Sequence, residues 1–124
     1  MAQNSIKPIY DLEERTFQFA KRVRNWVKTI PKSIANIEDV KQLVRASGSV
    51  GANYIEANES FSKKDFVFRI KICRKEAKEC GYWIMLILET NNNLLEEKNG
   101  ELLNKESIEL KKIFYSIEGK SNKT

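Results

Sequence analysis

Glu76 and Glu79 stand three residues apart, so a helix puts them on one face. With Glu56 they are the carboxylates best placed for chemistry. That chemistry would be a carboxylate metal centre, which helical bundles complete with Glu-x-x-His pairs. The chain has no histidine, so the pattern cannot be finished. The commonest general base and the commonest metal ligand are missing with it. Neither a Gly-rich phosphate loop nor a nucleophile elbow occurs. Glu76 and Glu79 therefore read as ion-pair partners of nearby Lys and Arg. The expectation is a protein that is not an enzyme, holds no metal and uses no cofactor.

The two cysteines, Cys73 and Cys80, are seven residues apart. Two helical turns separate their Cα atoms by roughly 10 Å, too far for a disulfide between them. Both fall on an apolar face, where a thiol packs as a small hydrophobe. Reduced, buried cysteines fit a cytoplasmic setting.

The remaining reactive groups are cations. Lys64, Lys71, Arg74, Lys75 and Lys78 recur along one segment. The net charge is +5. Lys63 to Thr90 carries seven basic and four acidic residues, a balance of +3, whereas Asn91 to Thr124 carries six of each and balances to zero. A mildly basic chain suits a polyanion such as RNA, or simply solvates its surface, and charge alone leaves both open. Arg22, Arg24 and Lys28 either extend the patch or are ordinary surface charge. No aromatic RNP strand accompanies them.

These side chains need elements to carry them. Hydrophobic residues make up 41% and charged ones 31%, with two prolines and five glycines. Such a composition favours a folded all-α chain. One domain over residues 1–124 is expected, ordered from about 9 to 118, with the tail 119–124 disordered. There is no apolar signal core at the start and no apolar run of membrane-spanning length.

Asp11 and Glu14 resemble a capping box ahead of Leu12, Thr16, Phe19, Val23, Trp26 and Ile30 at helical spacing. Phe17, Ala20 and Val27 lie beside that stripe, and Pro31 stops the helix. A second helix, about Ser33 to Ser60, has the stripe Val40, Leu43, Ala46, Ser47, Val50, Tyr54, Ala57 and Phe61. Gly48 and Gly51 inside it each cost about 1 kcal/mol relative to Ala. They imply a close backbone, from within the bundle or from a second subunit. Ser62 and Asp65 cap a third helix that the run Asn91-Asn92-Asn93 ends. The fourth, about Leu95 to Glu118, uses Leu103, Leu110, Ile113, Phe114 and Ile117, with Gly100 weakening its first turns. The expected fold is an antiparallel up-down four-helix bundle. A three-helix arrangement with a loose fourth segment is the alternative.

On a wheel of about 100° per residue, the third helix has three faces. Phe66, Ile70, Cys73, Ala77, Cys80, Ile84, Ile87 and Leu88 form a core stripe. Lys63, Lys64, Lys71, Arg74, Lys75 and Lys78 form a basic one. Phe68, Ile72, Trp83 and Leu86 form a second apolar face, with Glu79 among them. Something must cover that face. A subunit interface would, and so would a central position of the helix in the bundle. On the second helix Gln42, Arg45, Ser49, Asn53 and Glu56 share one sector, either solvated or a hydrogen-bonded interface seam.

Several strings in this region resemble the bacterial 23S rRNA intervening-sequence protein family. They are Leu43-Val44-Arg45-Ala46-Ser47, Ser49-Val50-Gly51-Ala52-Asn53-Tyr54, Glu56-Ala57, Lys63-Lys64-Asp65-Phe66, Lys75-Glu76-Ala77, Glu79 and Tyr82-Trp83. The likeness in layout runs from Asp11 to Ile117 and departs at Cys73 and at Cys80-Gly81. It implies an antiparallel four-helix bundle assembled as a ring-like homopentamer, with no established enzymatic activity. It also implies relatives, the accessory proteins of diversity-generating retroelements, that bind reverse transcriptase and nucleic acid. Two functions follow as expectations. One is a self-assembling scaffold that binds RNA or another nucleic acid through the basic stripe. The other is an adaptor that recruits an acidic partner protein or a nucleic-acid enzyme without touching RNA.

Overall fold

The computed structural model describes residues 11–122. Helices α1 (Leu12–Val27), α2 (Ile34–Asn58), α3 (Lys63–Thr90) and α4 (Glu97–Asn122) follow one another, with no strand among the described residues. The connections are too short for crossovers, so consecutive helices pack side by side. Contacts run α1 to α2, α2 to α3, α3 to α4 and α4 back to α1. Each pair is antiparallel. Asn58 at the end of α2 donates to Glu13 at the start of α1, and Arg45 and Arg69 pair inversely with Glu79 and Asn53 across α2 and α3. Helices α1 and α3 therefore stand at opposite corners.

The helix starts have identifiable causes. Ser33 and Ser62 adopt extended backbone and accept from the amides of Asn36 and Asp65, both at 3.1 Å, which satisfies one orphan donor each. Asp11 does not behave as expected. Its side chain makes no cap hydrogen bond and its backbone is not extended (φ −110°, ψ 41°). Glu14 instead accepts from Gln18 at 2.7 Å, so no capping box forms. After α3, Asn93 takes φ 57°, a left-handed turn that Asn tolerates. Helix α4 begins two residues later than expected and continues past Glu118 to Asn122, through four residues of the expected tail.

The core follows the spacing. Leu12, Thr16, Phe19, Val23, Trp26 and Ile30 of the first stripe are all buried. So are Leu43, Ala46, Ser47, Val50 and Ala57 of α2, and Ile70, Cys73, Ala77, Cys80, Ile84 and Ile87 of α3. Tyr54 and Phe114 meet across the diagonal with ring centroids 5.6 Å apart. One expected core residue is misplaced. Phe61 is 100% exposed, because α2 ends at Asn58 and the turn into the Ser62 cap carries Phe61 off the stripe.

The glycines of α2 meet α1 of the same chain. A Cβ on Gly51 would lie 2.9 Å from Thr16 Oγ1, and one on Gly48 would lie 3.2 Å from an Arg24 nitrogen. Gly100 does not merely weaken α4. It is buried where a Cβ would run into the Trp26 ring and Leu88.

Candidate nucleic-acid interface

Four seams join neighbouring helices, and an arginine crosses each. Arg24 of α1 donates to Ser47 Oγ at 3.3 Å and to the Val44 carbonyl at 3.4 Å, both on α2. Arg45 of α2 reaches Glu76 at 3.4 Å and Glu79 at 3.0 Å on α3. Arg74 of α3 holds Glu118 of α4 at 2.8 Å. Arg15 of α1 forks onto both carboxylate oxygens of Glu106 on α4, at 2.7 and 2.9 Å. That hydrogen-bonded contact raises the Arg15 pKa further above its ordinary value. A guanidinium suits this work because its planar fork can grip two acceptors at once.

The lysines behave differently. Lys64, Lys71, Lys75 and Lys78 of α3 are exposed and join none of the ion pairs among the described residues. Lys64, Lys71, Lys75 and Lys78 of the expected basic stripe therefore stay out of these pairs, while its one arginine, Arg74, is already engaged. Arg22 and Arg24 do not extend the stripe, since α1 and α3 occupy opposite corners. Arg24 is tied to α2, and Arg22 lines a separate hollow with Asn25, Trp26 and Asn99.

Helix α4 adds groups that the sequence reading passed over. Lys111, Lys112 and Tyr115 line a hollow with Arg74 and Lys78. The signal was present. Lys111 and Tyr115 are four residues apart and share a helix face beside the Leu110–Phe114 stripe. Only the side-by-side packing of α3 and α4 puts that face next to Lys78. At the other end of α3, Lys64, Phe68 and Lys71 border a second hollow closed by Ser121 and Asn122.

The residues expected at a subunit interface fall into two groups. Arg45, Ser49 and Asn53 lie on the α2–α3 seam within the chain. Asn53 donates to Ser49 Oγ at 2.9 Å and accepts from Arg69 at 2.9 Å, and Glu79 is held by Arg45. Glu56 is exposed beside them. The polar sector of α2 is thus a hydrogen-bonded seam, and α3 of the same chain is its partner. The second apolar face of α3 stays outward. Phe68 is 59% exposed, and Ile72, Trp83 and Leu86 are half-buried. Trp83 packs against the edge of the core, and its buried Nε1 has no hydrogen-bond partner among the described residues. Tyr82 meets its ring edge-on at 5.0 Å.

Both thiols are free and buried, and Cys73 donates to the Val50 carbonyl at 3.4 Å. Burial pushes the Cys73 pKa up to about 12 and raises that of Cys80 as well. Among the described residues no three His, Cys, Asp or Glu gather where they could hold a metal ion. No helix among the described residues is long and apolar enough to cross a membrane.

The family model described as 23S rRNA-intervening sequence protein matches residues 10–116. No curated protein matches the chain. A crystal structure from Bacteroides thetaiotaomicron, described as a protein of unknown function from the S23 ribosomal protein family, is similar in fold. It is 29% identical with a TM-score of 0.73, and the match covers 86% of this chain and 96% of that one.

Proposed function

The chain belongs to the family of 23S rRNA-intervening sequence proteins, and from that premise we propose that it is a non-enzymatic, homo-oligomeric scaffold binding RNA through the lysine row of α3. One observation carries the reading: the arginines clamp the seams, while Lys64, Lys71, Lys75 and Lys78 stay exposed and uncommitted on a single helix. Phosphate contacts of this kind give affinity without base readout.

Assembly belongs to the same proposal. Phe68, Ile72, Trp83 and Leu86 form an outward apolar face of the sort that a second copy covers. A ring of copies, five as the resemblance implies, repeats the lysine row and converts weak single-site attraction into avidity.

The experiment is anisotropy of a labelled structured RNA at about 50 and 200 mM salt. The variant is Lys71→Glu/Lys75→Glu/Lys78→Glu, which leaves the Arg74 clamp intact. The expected result is affinity that falls steeply with salt in the parent and is lost in the variant. Absence of binding by the parent at low salt overturns the reading. In that case the fully exposed Phe61 and the outward Phe68 favour the second reading, an adaptor whose partner is a protein.

A further inference from the structure

The hollow between α3 and α4 sets an exposed aromatic ring among four basic side chains. Tyr115 is 67% exposed, and its neighbours around the hollow are Arg74, Lys78, Lys111 and Lys112. A large ring left this open forgoes the burial that would stabilise it in a core. Its ring is also free of the aromatic pairs found among the described residues. The carboxylate closest in connectivity, Glu118, is tied to Arg74 at 2.8 Å. That pairing blunts the guanidinium and leaves the lysines to set the sign of the hollow.

We infer that this hollow is a stacking subsite for an unpaired base of a single-stranded nucleic acid, with Tyr115 as the platform and Lys78, Lys111 and Lys112 as the phosphate contacts. The inference rests on the RNA-binding reading above and sharpens it. The chemistry discriminates between ligand forms. A flat π surface among cations is the recurring device for single strands, because every unpaired base offers a face to stack on. In a duplex those faces are already stacked on neighbouring pairs, so a tyrosine standing on a helix gains nothing from them. An acidic peptide would use the same cations but would leave the ring idle.

The test uses the full chain with two labelled probes of equal length, a single-stranded oligouridine and a blunt RNA duplex. Tyr115→Ala is compared with Tyr115→Phe at one low salt concentration. Because Tyr115 is exposed, neither change should disturb folding, and circular dichroism with light scattering checks that. The expected outcome is that Tyr115→Ala weakens the single strand by about 5- to 150-fold, the size of one lost base stack. Tyr115→Phe should hold near the parent, and duplex affinity should be unmoved in both. If the parent binds the single strand and Tyr115→Ala binds it equally well, the subsite is wrong while the RNA reading survives. Equal losses for single strand and duplex also overturn the subsite, since they point to phosphate contact alone. If the parent binds neither probe, the RNA reading itself falls and takes the subsite with it.

Discussion

Single residues in this bundle are constrained mostly by proximity. Gly51→Ala places a methyl 2.9 Å from Thr16 Oγ1, a side chain whose hydroxyl is already bonded to the Leu12 carbonyl. Overpacking of this kind typically costs 1–3 kcal/mol, more than the roughly 1 kcal/mol gained in helix propensity. Gly100→Ala meets the Trp26 ring and should cost more. Gly119→Ala has open space around it and should stabilise by about 0.5–1 kcal/mol. Urea midpoints of the three variants check that order.

The thiols give a pH prediction at the same scale. An unfolded cysteine ionises near pH 8.5, while burial holds Cys73 neutral until about 12. A raised folded pKa contributes stability that is complete below the unfolded value and is lost as pH climbs toward the folded one. Stability should therefore decline from about pH 8.5 upward, by at most about 1.4 kcal/mol per pH unit per thiol. Denaturant titrations at pH 8 and 10.5 should show the decline, and Cys73→Ala/Cys80→Ala should shrink it. A thiol reagent at neutral pH should label neither cysteine until denaturant is added.

Elements are joined by polar groups that an apolar pattern cannot announce. Asn36 is buried at the start of α2 and exchanges amide hydrogen bonds of 2.8 and 2.9 Å with Asn91 at the end of α3. It also donates to the Pro31 carbonyl at 2.9 Å. One residue thus ties the first connection to the third helix. Asn36→Ala removes the partner of the Pro31 carbonyl and of the Asn91 amide, at about 0.5–1.5 kcal/mol per lost bond, and should lower thermal stability without changing helix content. An unchanged melting temperature would remove Asn36 from this role. The α2 polar sector was legible as a stripe, because Arg45, Ser49 and Asn53 repeat at four-residue spacing. Its partner was not, because pairing with Arg69, Glu76 and Glu79 depends on the antiparallel register of α2 and α3.

At the scale of the whole molecule, the outward face of α3 is the feature that one chain leaves unresolved. If copies pack there, Phe68→Glu should reduce the mass measured by light scattering to that of a single chain. Phe68 is the better probe than Trp83. Its ring is mostly exposed, whereas Trp83 also packs on the core edge, so Trp83→Glu would mix loss of assembly with loss of folding. An unchanged mass for Phe68→Glu would exclude this face as the contact.

Periodicity determined four helices and their core stripes, because burying an apolar stripe at 3.6-residue spacing leaves a chain of this composition few other options, and the cap residues Ser62 and Asn91 determined both ends of α3. Periodicity also determined that the cysteines are buried and unpaired and that Lys64, Lys71, Arg74, Lys75 and Lys78 share a face of α3. Tertiary structure decided the rest. Which helices stand side by side separated Arg22 and Arg24 from the α3 lysines and brought Lys111, Lys112 and Tyr115 to them. Antiparallel register engaged Arg24, Arg45 and Arg74 as clamps, although in sequence they resemble the lysines around them. Phe61 left the core because a capping serine one residue later sets where α3 begins. A spacing rule states which side chains share a helix face, and only packing states what that face meets.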